Sequence, residues 1–315
     1  MKLNVRSALA AVAGGVAGWV IWRGFGREWL PKHAVEQKRP LRYTGRTVLV
    51  DEIEMFFRDI GDPAKPPIVL IHGAGYDGES TFYKVIPQLT AHYRVVVVDL
   101  RSHGKSDRVR GRVTVDALAH DVAGVMDVLD LGPSTVFGYS LGGMVAQVLA
   151  AQRPDLVDQL HLGATTALAF GSSRIPMRSG IWFARGFTRI STAEQIAINF
   201  RYLRRTGAVE PPHERWLWSA MNARDTSLYW ETVRALYRFD GRNAAAGIEA
   251  PTCVFVTVRD QVIRPAGQQD LASRIPDATI VEIDAGHEAI MTNPEEFVAA
   301  LVGNAARDQE FPVVP

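Results

Sequence analysis

The sequence of 315 residues contains a single cysteine, Cys253. One cysteine cannot form a disulfide within the chain, and it cannot supply the thiolates of a multi-cysteine zinc site. Cys253 lies in the apolar run CVFVTV, which is typical of a buried and unreactive thiol. The fold must therefore depend on a hydrophobic core rather than on covalent cross-links.

An excess of charge of one sign is also lacking. The chain has 35 lysine and arginine residues against 34 aspartate and glutamate residues, which gives a formal net charge of +1 at pH 7. Such a balance provides no broad basic surface for nucleic-acid phosphates. Hydrophobic residues make up 47% of the chain and charged residues 22%, as in ordinary globular proteins. We therefore expect a globular protein without a nucleic-acid partner.

The uncharged segment near the N-terminus, residues 7–22, is short for a membrane span. As a helix it would extend about 24 Å, less than the roughly 30 Å hydrocarbon core. Lys2 and Arg6 precede it, and Arg23 follows it. Three interpretations remain open: a signal anchor that associates the protein with a membrane, which we favour; the signal peptide of a secreted protein; and a soluble helix of a cytoplasmic protein.

The pattern after this segment predicts a doubly wound α/β fold with a mostly parallel sheet. Apolar runs such as PPIVLIHG and YRVVVVDL are typical of strands that are buried on both faces. They alternate with amphipathic helical segments, of which residues 113–131 are the clearest. We interpret residues 1–42 as the N-terminal segment and its linker, and residues 43–164 and 244–315 as the core.

The alternation is interrupted between residues 165 and 243, where helical patterns dominate. This stretch contains four of the seven tryptophans, and from Arg174 to Arg242 it has twelve arginines, no lysine and six acidic residues. We interpret residues 165–243 as a helical cap inserted over the carboxyl edge of the sheet. Ligands of open α/β sheets bind at that edge, where a cap would shape a pocket and exclude water.

The stretch GYSLGG places Ser140 between Gly138 and Gly142, at the corner between a predicted strand and a predicted helix. A sharp strand–turn–helix corner requires small residues on both sides of a nucleophile. The backbone N–H of Leu141, at the start of the helix, would be free to bind an oxyanion. This pattern predicts an activated serine.

A serine hydroxyl needs a histidine as its base and a carboxylate to orient that histidine. His72, His103 and His287 each stand where a predicted strand gives way to a loop. Asp260 follows the strand CVFVTV, and His287 follows the strand ATIVEID. We therefore expect Ser140, Asp260 and His287 to converge above one edge of the sheet.

Five landmarks in this order resemble the α/β-hydrolase fold family, in its serine-triad branch with a helical cap. The resemblance covers about residues 47–306. The landmarks are HGAG at 72–75, DLRSHGKSD at 99–107, GYSLGG at 138–143, the pair of Asp260 and Pro265, and GH at 286–287.

The resemblance implies a role for each matching residue. Ser140 would be the nucleophile, Asp260 the acid and His287 the base, and the N–H groups of Ala74 and Leu141 would form the oxyanion hole. His72 and Gly73 would shape the loop that carries Ala74, and His103 would support a neighbouring turn. The chain departs from the family at Thr257, where a glycine often stands. Asp284 lies inside the last strand and should point away from His287.

These residues predict a serine hydrolase that cleaves a carboxylic ester of a small-molecule acyl substrate, with a lean toward hydrophobic or lipid acyl groups, and that requires no metal or organic cofactor. The same triad also serves carbon–carbon bond, thioester and lactone hydrolysis and perhydrolysis, and these alternatives stay open. A non-catalytic binding protein on the same fold is an alternative of another class. The oligomeric state is not determined by the sequence.

Overall fold

The central sheet has eight strands. A computed structural model of the chain describes residues 36–40, 43–111, 113–168 and 192–309. The strands are β1 Arg46–Val50, β2 Ile53–Ile60, β3 Pro67–Ile71, β4 Arg94–Val98, β5 Ser134–Tyr139, β6 Val157–Gly163, β7 Thr252–Thr257 and β8 Thr279–Ile283.

The strands lie in the order β1-β2-β4-β3-β5-β6-β7-β8. Strand β2 is antiparallel to both of its neighbours, β1 and β4, and the pairs from β4 to β8 are parallel. The chain passes from β3 outward to β4 and then returns to place β5 on the other side of β3. The carboxyl ends of β3 and β5 therefore flank the point where the strand order reverses, which is where open α/β sheets bind ligands.

Helices occupy both faces of the sheet, so the predicted doubly wound α/β fold is confirmed. The helices of the described residues, including those in the stretch predicted to form the cap, are α1 Gly78–Phe82, α2 Ile86–Leu89, α3 Val115–Val128, α4 Leu141–Gln152, α5 Thr192–Thr206, α6 Glu214–Asn222, α7 Thr226–Arg238, α8 Arg242–Ala246, α9 Pro265–Arg274, α10 Ala289–Thr292 and α11 Pro294–Gln309.

Strand β4 shows why its sequence is continuously apolar. Val96 and Val98 belong to the core cluster that contains the buried side chains of α3 and α4. Val95 and Val97 belong to the cluster on the other face, together with residues of α1, α2 and α11. Because successive side chains of a strand point to opposite faces, a strand covered on both sides needs an apolar residue at every position.

The helices α5, α6 and α7 lie between β6 and β7 in the chain, within the stretch predicted to form the cap. The described part of this stretch, residues 165–168 and 192–243, contains no strand. Residues 169–191, which include Trp182, lie outside the described residues. The domain boundaries at 165 and 243 stay a prediction.

The predicted N-terminal segment, residues 7–22, also lies outside the described residues. Across the part of the chain that the structure describes, no helix is both long and apolar enough to cross a membrane. The short described stretch 36–40 runs along the cap. The N–H of Lys38 donates to Pro212 O at 2.7 Å, and Arg39 forms an ion pair with Glu79 of α1.

Candidate active site

The serine predicted to be the nucleophile lies at the corner between β5 and α4. Ser140 has a φ of 55° and a ψ of −115°, a backbone conformation that costs a non-glycine residue about 1–3 kcal/mol. The surrounding structure holds this conformation: Ser140 N donates to Gly163 O at 2.8 Å, and Thr165 Oγ1 donates to Ser140 O at 2.8 Å. Such strain persists only where neighbouring groups enforce it, and it presents the hydroxyl away from the backbone.

The two glycines of the corner are required by close backbone contacts. A methyl group placed on Gly138 would lie 2.3 Å from Gly142 O, and one placed on Gly142 would lie 1.9 Å from Ile71 O. Both distances are far inside van der Waals contact with backbone atoms, which cannot move aside. The spacing G-x-S-x-G thus reflects the tight packing of α4 against the ends of β3 and β5.

The structure brings the three predicted triad residues together. Ser140 Oγ lies 3.0 Å from His287 Nε2, and His287 Nδ1 lies 2.7 Å from Asp260 Oδ2. The Asp260 side chain is fully buried, whereas the His287 side chain is 23% exposed. Because a carboxylate oxygen accepts only, His287 carries its proton on Nδ1, and its Nε2 is free to accept the proton of Ser140.

Asp260 is held by donors from three segments: the end of β7, the loop that follows it, and the loop after β8. Oδ1 accepts from the N–H groups of Val262 at 2.7 Å and Ile263 at 2.9 Å, and Oδ2 accepts from His287 and from Thr257 Oγ1 at 3.0 Å. A buried carboxylate is stable only when its oxygens are hydrogen-bonded in this way. These bonds fix the direction of the acid toward the imidazole.

Thr257, the position at which the sequence departs from the family, is therefore a neighbour of the acid. Its hydroxyl donates to Asp260 Oδ2, and it accepts from Gln268 Nε2 at 2.9 Å. Gln268 is fully buried on α9, and its Oε1 accepts from Thr257 N at 3.0 Å. Sequence reasoning missed both roles; the sole signal was the polar residue where glycine is expected.

Tyr139 is a second residue that sequence reasoning missed. It precedes the serine in β5, and its hydroxyl donates to His287 O at 2.9 Å. Burial raises the pKa of Tyr139, so the phenol stays protonated and remains a donor. The bond ties the backbone of the predicted base to the strand that carries the predicted nucleophile.

The loop predicted to carry the first oxyanion donor packs directly on the serine. A methyl group on Gly73 would lie 3.3 Å from Ser140 Cβ, and Ala74 is the next residue of this loop. Within the described residues, no backbone acceptor binds the Ala74 N–H. Leu141 is the first residue of α4, and the N–H at that position has no carbonyl one turn earlier within the helix. Both groups suit an oxyanion hole, and that role stays a prediction.

The other two histidines of the motifs lie beneath the site. His72 Nδ1 donates to Gly73 O at 2.8 Å, and its Nε2 accepts from Leu100 N at 3.0 Å. His103 Nδ1 contacts Arg101 O at 3.0 Å, and the two rings lie edge to face at 5.2 Å. Burial lowers the pKa of His72 to about 4 and that of His103 to about 3. Both therefore support their loops as neutral rings, as predicted.

Asp284 does not compete for the role of the acid. The prediction that Asp284 lies inside the last strand was wrong, because β8 ends one residue earlier, at Ile283. The Asp284 side chain is exposed and forms an ion pair with Arg259 at 2.9 Å. On the cap side, Tyr202 of α5 donates to Glu288 Oε2 at 2.7 Å, next to His287. Among the described residues, no group of three or more histidine, cysteine, aspartate or glutamate side chains is placed to hold a metal ion.

Comparison with known proteins gives matches over most of the chain. Residues 66–294 match the family model described as the alpha/beta hydrolase fold. The chain is 32% identical over 256 residues to a pimeloyl-[acyl-carrier protein] methyl ester esterase of Chromobacterium violaceum, covering 75% of this chain and 92% of that protein.

Similarity also extends to a second curated protein and to a solved structure. The chain is 26% identical to 3-oxoadipate enol-lactonase 1 of Acinetobacter baylyi, over 77% of this chain and 90% of that protein. The crystal structure of the enol-lactonase of Burkholderia xenovorans superposes with a TM-score of 0.72 at 27% identity, covering 83% of this chain and 100% of that chain.

Proposed function

The chain belongs to the α/β hydrolase fold family, and from that premise we propose that it is a serine hydrolase that cleaves carboxylic esters through an acyl-enzyme on Ser140. The observation that carries the proposal is the continuous hydrogen-bond chain from Ser140 Oγ through His287 to Asp260, with distances of 3.0 and 2.7 Å. A serine, a base and a carboxylate in this arrangement form the set of groups that nucleophilic acyl transfer requires.

In the proposed reaction, Ser140 Oγ attacks the carbonyl carbon of the ester while its proton passes to His287 Nε2. Asp260 stabilises the imidazolium that forms, because it already accepts the Nδ1–H. The negative charge on the former carbonyl oxygen is held by the N–H groups of Ala74 and Leu141. The alcohol leaves with the proton from His287, and a water activated by the same base then releases the acid and restores Ser140.

The named activities of similar proteins support an ester as the scissile group. The Chromobacterium violaceum relative is named a methyl ester esterase, and two others are named enol-lactonases. A lactone is a cyclic ester, and its opening would use the same steps, with the alcohol remaining attached to the acyl group. Lactone hydrolysis is therefore the second candidate for this site.

The test is hydrolysis of 4-nitrophenyl esters from acetate to palmitate by the wild type and by Ser140→Ala. We expect the variant to lose several powers of ten in kcat, because the members of a triad act as a unit. The preferred acyl length would report the size of the pocket and test the lean toward hydrophobic or lipid acyl groups. Equal rates for wild type and variant would contradict the proposal.

A fluorophosphonate probe distinguishes an enzyme that hydrolyses none of the esters tested from a non-catalytic binding protein. Labelling of Ser140 without hydrolysis of any ester would point to another substrate class that uses the same triad. If neither labelling nor hydrolysis occurred, the non-catalytic binding protein would be the better interpretation.

We also propose that residues 7–22 associate the protein with a membrane. Support comes from the uncharged composition of the segment and from its flanking Lys2, Arg6 and Arg23. The test is carbonate extraction of membranes that carry the full chain, compared with a Val16→Asp/Val20→Asp variant. Two carboxylates should release the protein, since each is costly within a bilayer. Soluble wild type would contradict the proposal.

A further inference from the structure

An arginine of the cap lies against the loop that carries the predicted oxyanion donor. Arg224 stands between α6 and α7, and its Nη1 lies 3.1 Å from the position that a methyl group on Gly75 would occupy. Gly75 directly follows Ala74. The guanidinium carbon lies 4.2 Å from the centre of the Tyr229 ring, which is cation–π contact distance. The cap thus places a cation next to the proposed reaction centre.

This guanidinium has no anionic partner among the described residues. Its Nε and Nη2 are out of contact with solvent and have no hydrogen-bond acceptor. The neighbouring carboxylate, Asp225, accepts from the N–H groups at the start of α7, and Glu288 accepts from Tyr202. Burial lowers the pKa of Arg224, but a guanidinium stays protonated in proteins. The Arg224 side chain is partly buried, and buried donors without an acceptor are costly, so a ligand that supplies the acceptor would bind favourably there.

The unsatisfied pair of donors is the edge with which arginines of this protein bind carboxylates. Among the described residues, six other arginines each donate from both Nε and Nη2 to the two oxygens of one carboxylate. These pairs are Arg39–Glu79, Arg94–Asp59, Arg101–Asp121, Arg153–Asp155, Arg242–Asp240 and Arg274–Asp270. In Arg224 the same Nε–Nη2 edge has no carboxylate partner among the described residues. The geometry of this edge matches the two oxygens of a planar carboxylate.

A cavity adjoins Arg224 on the side of the oxyanion loop. It measures about 170 Å³ and is bordered by the stretches 75–77 and 102–105 and by Ser80, Arg108, Ala220, Met221, Ala223 and Arg224. Arg108 already donates to the carbonyl oxygens of Ser106 and Gly104, and Lys105 lies over the Phe56 ring. Asp77, the carboxylate of the lining, accepts from Ser80. Of the three cations at this cavity, Arg224 is the one with buried donors that lack an acceptor among the described residues.

We propose that Arg224 binds a carboxylate of the substrate, so that the enzyme prefers esters whose acyl or alcohol part carries a free carboxylate in addition to the scissile ester. This inference rests on the proposed function as a serine esterase. The Nε–Nη2 edge is covered by protein atoms here, so binding requires a change of rotamer of the long Arg224 side chain toward the cavity. Arg224 is thus a specificity-determining residue for an anionic ester.

The test compares esters that differ in one carboxylate. Mono-4-nitrophenyl adipate is matched with 4-nitrophenyl hexanoate, which has the same number of acyl carbons. For a carboxylate in the leaving group, 4-acetoxybenzoate is matched with its neutral methyl ester. We expect wild type to show a kcat/KM at least tenfold higher for the anionic member of one pair, after subtraction of the uncatalysed rate. Ratios near one in both pairs would overturn the inference while leaving the esterase proposal intact.

The variants separate a specific contact from a general effect of charge. Arg224→Met should bring the ratio close to one, and Arg224→Lys should give an intermediate ratio because it keeps the charge but loses the planar fork. Arg215→Met removes a charge from an exposed position on α6 and should leave the wild-type ratio unchanged. An equal loss of preference in Arg215→Met and Arg224→Met would refute a dedicated carboxylate contact.

Binding measurements make the inference independent of catalysis. Isothermal titration of Ser140→Ala with monomethyl adipate and with methyl hexanoate should show tighter binding of the anionic ester, and the additional Arg224→Met change should abolish the difference. That outcome would support the inference even if no ester were hydrolysed, whereas equal binding would overturn it. Thermal unfolding checks the variant itself: Arg224→Met should melt at or above the wild-type temperature, because methionine removes two buried donors that have no acceptor among the described residues. A fall of several degrees would show that Arg224 serves the fold instead.

Discussion

Acidification should destabilise this protein through a buried histidine that lies outside the candidate active site. His161 lies in β6, is 2% exposed, and has no hydrogen-bond partner for either ring nitrogen within the described residues. Burial lowers its pKa from 6.5 to about 4. The folded structure therefore disfavours the protonated His161 ring, whereas the unfolded chain exposes the ring to water and lets it bind a proton.

The sign and size of the effect follow from this lowered pKa. Above pH 6.5 the ring is neutral in both states, and its contribution to stability is fully present. As the pH falls from 6.5 toward 4, the unfolded chain binds a proton that the folded protein rejects, so the free energy of unfolding decreases. One pKa unit corresponds to about 1.4 kcal/mol, so His161 should account for a loss of about 2 kcal/mol between pH 7.5 and pH 5.

Urea unfolding at pH 7.5 and pH 5, followed by tryptophan fluorescence, measures this loss. In His161→Phe the decrease between the two pH values should be smaller than in wild type by about 2 kcal/mol. His72 and His103 are also buried with lowered pKa values, so the variant should retain part of the acid sensitivity. His92→Gln, at an exposed position, serves as the control and should behave as wild type. An unchanged decrease in His161→Phe would refute the reasoning from burial.

Two further substitutions test the contacts that hold the site. Thr257→Val removes the hydroxyl donor to Asp260 and should lower kcat/KM for 4-nitrophenyl esters about tenfold, since hydrogen bonds to charged groups contribute roughly 1.5–3 kcal/mol. Thr257→Ser keeps the hydroxyl and should retain most of the wild-type activity. A serine variant as slow as the valine variant would contradict a hydrogen-bonding role. Gly142→Ala would place a methyl group 1.9 Å from Ile71 O and should lower the urea midpoint strongly or prevent folding. Gly303→Ala, with open space around the new methyl group, should have a free energy of unfolding within about 1 kcal/mol of wild type. Equal midpoints for the two alanine variants would show that the corner tolerates a side chain.

Much of the fold could be predicted because its strands and longer helices are indicated by patterns of neighbouring residues in the sequence. The apolar runs and their alternation with helical periodicity identified the strands, and the four consecutive valines of β4 indicated a strand covered on both faces. The corner at Ser140 could be predicted for the same reason: its glycines, its strand and its helix are contiguous in the chain. The short helices α1 and α2 carry no such periodicity, since four or five residues make little more than one turn, and they were not predicted.

The sequence by itself determined the class of the fold, the order of Ser140, Asp260 and His287, and their placement after three strands, because parallel strands bring their carboxyl ends to one edge. Only the tertiary structure decided which side chains surround them. The bond from Thr257 to Asp260, the bond from Tyr139 to the backbone of His287 and the unpaired position of Arg224 all depend on side-chain directions set by packing between distant segments. Hydrogen-bond partners are selected by distances of a few tenths of an ångström, and residue type and spacing do not specify distances on that scale.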